Sequence, residues 1–345
     1  MSPYNTAWRC RGTLSLLLPS LQSLTSASGL PPLSPPSAFL TPFPLSSDDY
    51  GPGSRDQQWR IGRSSLLPSA LRIAPYKDSW WSSARQPGAP CNGSEPYPLL
   101  QSAVAALSTG PITPGDGLGY ADASVIERAC MGDGRLLQPT VPAIQWDQMY
   151  LDEVFGNDSS SRAGASGDCC NSSEVWISHT ITPGSLCPSY NILAADMPAP
   201  LPLLLLAADW AALASECSTW ALWRSWPFDP NVTISAVSSA AFALAPPSLP
   251  SFELHHAAPF GISGWAVMGE KNKWVPVAGA RLLNISHETG SLAVLVRMVA
   301  KEVVTLMFAS SSADVIVEVQ CDWQQLPSSL ALVLLPAATC SPLAP

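Results

Sequence analysis

Charge is scarce in this chain. Of 345 residues, 12% are Asp, Glu, Lys or Arg, about half the usual share. There is no lysine-rich run and the net charge is −9. A nucleic-acid partner is therefore not expected, because phosphate binding needs a basic face. The mild acidity reads as ordinary solubility. Histidine occurs 4 times, and no C-x-x-C pair is present, so no zinc or other metal site is expected. His255 and His256 stand together in "FELHHAAPF" without convergent ligands nearby in the sequence. No Gly-Lys-[Ser/Thr] follows a glycine loop, and Gly115, Gly117 and Gly119 are spaced G-x-G-x-G, not G-x-G-x-x-G. Neither nucleotide fingerprint is met, and no cofactor is expected. Long apolar runs are missing too. The longest, "APLPLLLLAADWAALA" at 199–214, is broken by Pro200, Pro202 and Asp209 and is too short to span a bilayer, so no transmembrane helix is expected.

What the chain does have is apolar content: 47% hydrophobic residues, enough for a packed core over much of its length. Proline is abundant, at 35 residues, and crowds into the first fifty positions and 183–202. Residues 1–45 ("GLPPLSPPSAFLTPFPLSS") are Pro/Ser-rich, of low complexity, and read as a disordered segment or a faulty gene-model start. Five asparagines open N-x-[ST] sequons: Asn92, Asn157, Asn171, Asn231 and Asn284. Together with nine cysteines they point to an extracellular or secretory-pathway location. The cysteine count is odd, so at least one thiol is left over or pairs between chains. Cys169 and Cys170 are adjacent and are poorly placed to pair with each other. "RGTLSLLLPSLQSL" is a weak signal peptide, with no clean small-x-small cleavage site after it.

Periodicity separates the chain into two textures. The segment "WRIGRSSLLPSALRIAPYKDSWW" reads as a helix interrupted near Pro68. In "PYPLLQSAVAALSTGPI", Leu99, Leu100, Ala103, Val104 and Leu107 follow helical spacing and predict an amphipathic helix, and "GPI" a short buried strand. Asp122 predicts the N-cap of a helix over "ASVIERACM", ended by Gly132 and Gly134. Beyond Leu136 the pattern turns to strands: "SEVWISHTI", "NVTISAVSSAAFAL", "SLAVLVRMV", "VVTLMFA" and "DVIVEVQCDW". "GARLLNISHETGSLAVLV" predicts a strand pair turning near 288–291, and "SGWAVMGEKNKWVPV" a strand–turn–strand. Residues 326–345 read as an apolar, proline-limited tail.

The glycine-rich loop "STGPITPGDGLGYAD" carries one carboxylate, Asp116, directly before a helix. Such a loop either turns a corner, with Asp116 satisfying backbone amides, or borders a ligand. Upstream, "SSDDYGPGSRDQQWRIG" holds the adjacent carboxylates Asp48 and Asp49. A carboxyl kept protonated by its surroundings can act as a general acid, although an exposed Asp-Asp turn is the plainer reading. The order S-D-D-[aromatic], "PYKDSWW", "GPI", "TPGDGLGY" and "DGRLLQP" resembles the end of the catalytic barrel in the α-galactosidase and raffinose synthase clan. It is also similar to uncharacterised animal and protist proteins with W-x-I-G, P-x-K-D-x-[FW]-W and S-T-G-P-[VI]-x-P-x-D stretches. The likeness covers 46–142 by motif.

This resemblance implies that Asp49, with Asp48 beside it, matches the acid/base carboxylate, and that Asp116 matches the aspartate near the sugar. Trp80 and Trp81 then offer an aromatic wall to carbohydrate, or form a core pair. Leu45 stands where the family has Arg, "TPGD" replaces Ser-Asp, and no segment before Ser46 resembles the one that carries the family's nucleophile. The expected architecture is α/β + β: a partial (β/α) barrel remnant over 46–142, then an antiparallel β-sandwich-like domain over 143–325. The expected function is an α-galactoside-type glycoside hydrolase-like protein or fragment, not competent alone. The alternatives are a non-catalytic carbohydrate-binding or structural β-sandwich protein, and a non-functional gene model.

Overall fold

The computed structural model describes residues 59–86, 94–155, 174–197, 201–204, 217, 219–236, 241–244, 251–312, 316–322 and 329–343. The segment read as disordered, 1–45, lies outside them.

The first described unit, 59–140, is built from short helices: α1 (Leu66–Ala70), α2 (Pro98–Leu107) and α3 (Ala123–Ile126), which runs into a 3-10 turn at Glu127–Ala129. Pro68 sits within the first turn of α1, where its missing N–H has no partner to lose. α2 starts with proline at its first position and holds the predicted Leu/Ala/Val stripe. It is buried on every side, however, because Gln101 and Ser102 are enclosed with the apolar face. An uncharged helix rich in alanine tolerates that position. Asp122 caps α3 as its spacing predicts, its side chain accepting from Ser124 N at 2.9 Å.

The strand–helix alternation of a barrel end does not appear among these residues. The strand expected at "GPI" is reduced to a single parallel bridge between Trp80 and Pro114. Pro111 and Pro114 each remove a ladder donor and leave no continuous strand.

From Val141 onward the chain is sheet. In order come β1 (Val141–Gln145), α4 (Asp147–Phe155), β2 (Glu174–Thr180), β3 (Ser189–Ala195), β4 (Leu201–Leu204), β5 (Thr219–Trp226), β6 (Thr233–Ala236), β7 (Ala241–Leu244) and β8 (Phe252–Pro259). They continue as β9 (Trp265–Glu270), β10 (Leu282–Glu288), β11 (Ser291–Arg297), β12 (Val303–Ser310), β13 (Ile316–Asp322), β14 (Leu330–Leu335) and β15 (Thr339–Pro342). The main sheet has the order β1-β2-β3-β8-β5-β6, and the others are β10-β11-β14-β15, β13-β12-β9 and the pair β4-β7. Every strand pair among them is antiparallel.

Alternation along single strands sets the layers. On β12, Val304, Leu306 and Phe308 face one core with Leu292, Val294 and Val333 of the β10–β15 sheet, forming a sandwich. Met307 and Ala309 point the other way and meet Ala221, Trp223 and Ala258 on the main sheet. Farther along that same face of the main sheet, Trp176, Leu193 and Leu254 pack with α2 and its neighbours. The opposite face of the main sheet buries Ile192, Ala194 and Leu222 against Met149 of α4 and Leu244 of β7.

Two corrections to the sequence reading lie in the second half. The stretch 326–345, read as a tail, supplies β14 and β15. Its apolar alternation lets β14 pair with β11 from Leu292↔Leu335 to Arg297↔Leu330, and Cys340 bonds to Cys321 across the sandwich. The expected strand pair at 263–277 contains one strand, β9, because Trp274–Ala278 turn inward as core instead of pairing. Gly269 is required there: its φ is +88°, and a Cβ would run into the Pro276 carbonyl. The hairpin of β10 and β11 closes at Glu288↔Ser291, as the turn signal predicts. A second disulfide joins Cys187 to Cys217, and Cys130 is buried with its Sγ donating to Ile126 O at 3.8 Å.

One buried charge cluster holds the sandwich to the first unit. Arg281 has no exposed surface. Its Nε donates to Glu270 Oε2 at 2.6 Å and its Nη2 to Glu302 Oε1 at 2.6 Å, while Nη1 donates to Arg297 O at 2.7 Å. Glu302 Oε1 also accepts from Gly132 N at 3.2 Å. Burial pulls the Arg281 guanidinium down, but Glu302 and Glu270 outweigh it and hold the group charged. Replacing Arg281 by Met takes from Glu270 and Glu302 the guanidinium they share and leaves Lys273 Nζ at 3.6 Å from Glu270. The expected loss is about 3–5 kcal/mol of unfolding free energy, read as a lower urea midpoint. Arg281→Lys, which keeps the charge and loses the fork, is expected to lose less.

Candidate functional site

The glycine loop is clasped at its base. Gly115 N donates to Trp80 O at 2.7 Å, continuing the Trp80–Pro114 bridge. Asp116 Oδ1 accepts from Ser82 N at 2.8 Å and Oδ2 from Ser82 Oγ at 2.7 Å, and Gln86 Nε2 donates to Oδ1 at close range. Gln86 Oε1 in turn accepts from Gly117 N at 2.6 Å, and Ser82 Oγ from Asp122 N at 2.7 Å. Asp116 thus satisfies one backbone amide and two side chains of 82–86. Among the described residues Oδ2 has a single donor, and it keeps a lone pair. Above the clasp, Pro114, Asp116, Gly117, Leu118, Gly119, Ala121 and Ile126 line a small depression. In the same loop Leu118 is 89% exposed and Tyr120 42% exposed.

Trp80 has no exposed surface and Trp81 is 8% exposed. Neither offers a ring face to solvent, and Trp80 packs in the core around α2. Tyr120 is the aromatic that the loop does expose. Lys77, the lysine of "PYKDSWW", has no role assigned by its motif. It is buried and donates through Nζ to Asp78 O at 3.3 Å. Burial lowers its pKa to about 8, with Glu95 and Asp78 pulling it back up. Glu95, also buried, accepts from Tyr97 N at 3.0 Å. The acid/base candidates Asp48 and Asp49 lie outside the described residues, as do the sequon residues Asn92, Asn157 and Asn171. Asn231 and Asn284 are exposed.

A second polar constellation crosses the main sheet. Register places Ser178 opposite Asn191, Asn191 opposite His256, and His256 opposite Trp223. Residues paired directly across an antiparallel sheet share a face, so four strands contribute to one row. Asn191 Nδ2 donates to Ser178 Oγ at 3.1 Å. Asn191 Oδ1 lies 3.0 Å from His256 Nδ1, and His256 Nε2 lies 2.6 Å from Ser225 Oγ. With Asn191 Oδ1 accepting, Nδ1 carries the proton and Nε2 is left as an acceptor for the Ser225 hydroxyl, which also lies 3.4 Å from Leu254 O. Trp223 stacks on the imidazole with centroids 5.1 Å apart.

His255 faces the other side of the sheet. Glu253 there takes Arg224 Nη1 at 2.9 Å and lies 2.9 Å from His255 Nε2. Burial raises the Glu253 carboxyl, but His255 and Arg224 outweigh it and hold it below its ordinary value. Because adjacent strand residues point to opposite faces, His255 and His256 cannot share a ligand.

No protein-family model matches the chain, and no curated protein matches it. No helix among the described residues is long and apolar enough to cross a membrane.

Burial, reinforced by the His255 charge, lowers the His256 pKa from 6.5 to about 3. Between those values the unfolded chain binds one more proton than the fold. The stability is fully present above about pH 6.5 and is lost as pH falls toward 3, at about 1.4 kcal/mol per pH unit for one proton. Burial shifts His179 and His287 in the same direction. Urea midpoints measured from pH 8 to pH 4 are expected to hold level and then fall below about pH 6.5. The fall is expected to be shallower by one proton in His256→Gln.

Proposed function

We propose that the chain is an extracytoplasmic β-sheet protein whose glycine loop at 114–121 binds carbohydrate and does not cleave it. The observation that carries this reading is the clasp on Asp116. Its oxygens are fixed by Ser82 and Gln86, so the remaining lone pair of Oδ2 has a set direction before a ligand arrives. A sugar hydroxyl is a suitable donor to it, and the exposed Tyr120 supplies a flat apolar face for a pyranose ring. Hydrolysis by a carboxylate pair needs a second carboxyl about 5–9 Å away. Among the described residues that line the depression, Asp116 is the sole carboxylate. The kinship to α-galactosidases suggested by motif order makes α-galactosides the first ligands to try.

Saturation-transfer NMR with methyl α-galactoside is expected to show contact to the sugar ring. Tyr120→Ala is expected to weaken binding about tenfold, the loss of one stacked aromatic, with thermal stability unchanged. Saturation equal in wild type and Tyr120→Ala, or none across a panel of hexosides, would sink the assignment. Release of galactose from p-nitrophenyl α-galactoside would overturn the claim that the loop does not cleave.

The extracytoplasmic part rests on the two disulfides and on exposed Asn231 and Asn284 in their sequons. In a chain routed through the secretory pathway of a eukaryotic cell, Asn231→Gln and Asn284→Gln are each expected to remove one N-glycan, read as a step in mass before but not after endoglycosidase treatment. Unchanged mass in both variants would count against that route.

A further inference from the structure

We propose that Ser225, His256 and Asn191 form a nucleophilic acyl-transfer site on the main sheet, acting on small carboxylic esters. Ser225 is the nucleophile, His256 the general base and Asn191 the positioning residue that fixes the imidazole.

The geometry meets the requirements of an activated serine. The nucleophile and base are 2.6 Å apart, and the base and its orienting acceptor 3.0 Å. Asn191 is itself held by donating to Ser178 Oγ at 3.1 Å, which turns its Oδ1 toward His256. That arrangement selects the tautomer with the proton on Nδ1, leaving Nε2 free to take the Ser225 proton. Asn191 and His256 are buried, at 4% and 1% exposure, while Ser225 is half-buried. Its partial exposure has a structural cause. β6 pairs with β5 from Thr219 to Leu222 and stops, so Ser225 lies beyond the end of its neighbour. The register with β8 also shifts between Arg224 and Trp226, which re-aims the intervening side chain. The row occupies the seam between two apolar contacts of one sheet face, with Leu193 and Leu254 on one side and Ala221 and Ala258 on the other. Trp223 Nε1 is buried and makes no hydrogen bond among the described residues. It is a donor of the kind that a developing oxyanion needs. The low pKa of His256 keeps the imidazole neutral, the form a base requires.

The chemistry balances with water as co-reactant. Ser225 Oγ adds to the ester carbonyl carbon as its proton passes to His256 Nε2. The tetrahedral adduct collapses with cleavage of the C–O bond to the alcohol, which leaves with the proton from Nε2. Water then adds to the acyl-serine, giving its proton to Nε2, and collapse returns that proton to Ser225 Oγ and frees the carboxylic acid.

The test is covalent labelling of the full chain with a fluorophosphonate, with the adduct mapped by peptide mass. One adduct per chain on Ser225 is expected in the folded protein, none in the urea-unfolded protein and none in Ser225→Ala. His256→Gln is expected to slow labelling by about a hundredfold. With p-nitrophenyl acetate a burst of p-nitrophenol is expected. Asn191→Ala is expected to lower kcat with KM unchanged. A folded wild-type chain that takes no label at Ser225 overturns the proposal. So does labelling of Ser225 at the same rate in folded and unfolded chain, a comparison that holds even if His256→Gln fails to fold. These outcomes are independent of sugar binding at the glycine loop.

Discussion

Trp274 is the contact on which the arrangement of the layers depends. It follows β9 in a turn that pairs with no strand, yet it is 1% exposed. Its Nε1 donates to Ser102 Oγ on α2 at 2.9 Å, and its backbone N to Arg128 O at 3.0 Å. Its ring meets Trp226 of β5 at 5.7 Å and Phe252 of β8 at 5.9 Å, with the Arg128 guanidinium over both indoles. Lys273 beside it donates to Glu127 O and Cys130 O, the open carbonyl end of the 3-10 turn. One turn of the sandwich is thus built into the core of the helical unit and against the main sheet. Helices and strands that sequence texture would divide into two domains share a single core.

The strands that could be read in advance are those with one face toward solvent. "SLAVLVR" buries Leu292, Val294 and Val296 and leaves their neighbours half-exposed, so period two is visible in its letters. β3 and β8 are enclosed on both faces, and "SYNILAA" and "FELHHAAP" show no alternation to detect. β14 has the alternation, but its closeness to the end of the chain and to Pro336 made it read as a tail. No barrel remnant is seen among the described residues. Motif order carried that expectation, and motif order says nothing of whether backbone donors are available for a ladder where Pro111 and Pro114 stand.

At the glycine loop, Asp116 was legible as an acceptor in a turn, because Gly and Asp in that density have few other uses. Its partners were not. Ser82 and Gln86 lie some thirty residues upstream with no spacing rule to connect them. The row on the main sheet was still less visible: its members sit at 178, 191, 225 and 256, separations set by strand pairing and crossover, not by any local motif. What the letters did show was that polar groups are few. In a chain this poor in charge, a histidine and an asparagine within apolar strands must each find a partner or cost stability.

That scarcity also explains why the orienting group of the row is an amide. A carboxylate at position 191 would be nearly fully buried with no cation in the row to balance it, a cost of several kcal/mol unless it took up a proton. Across the sheet the same problem is solved the other way: Glu253 is ionic because Arg224 and His255 flank it and the side is open enough to hydrate Arg224. An asparagine fixes the His256 tautomer by geometry alone and keeps the row neutral in the ground state. The cost is that burial, with the His255 charge behind it, opposes an imidazolium once His256 takes a proton, and no carboxylate stands in the row to offset it. A site so built holds its nucleophile well but is a weak base, which favours activated esters over amides as substrates.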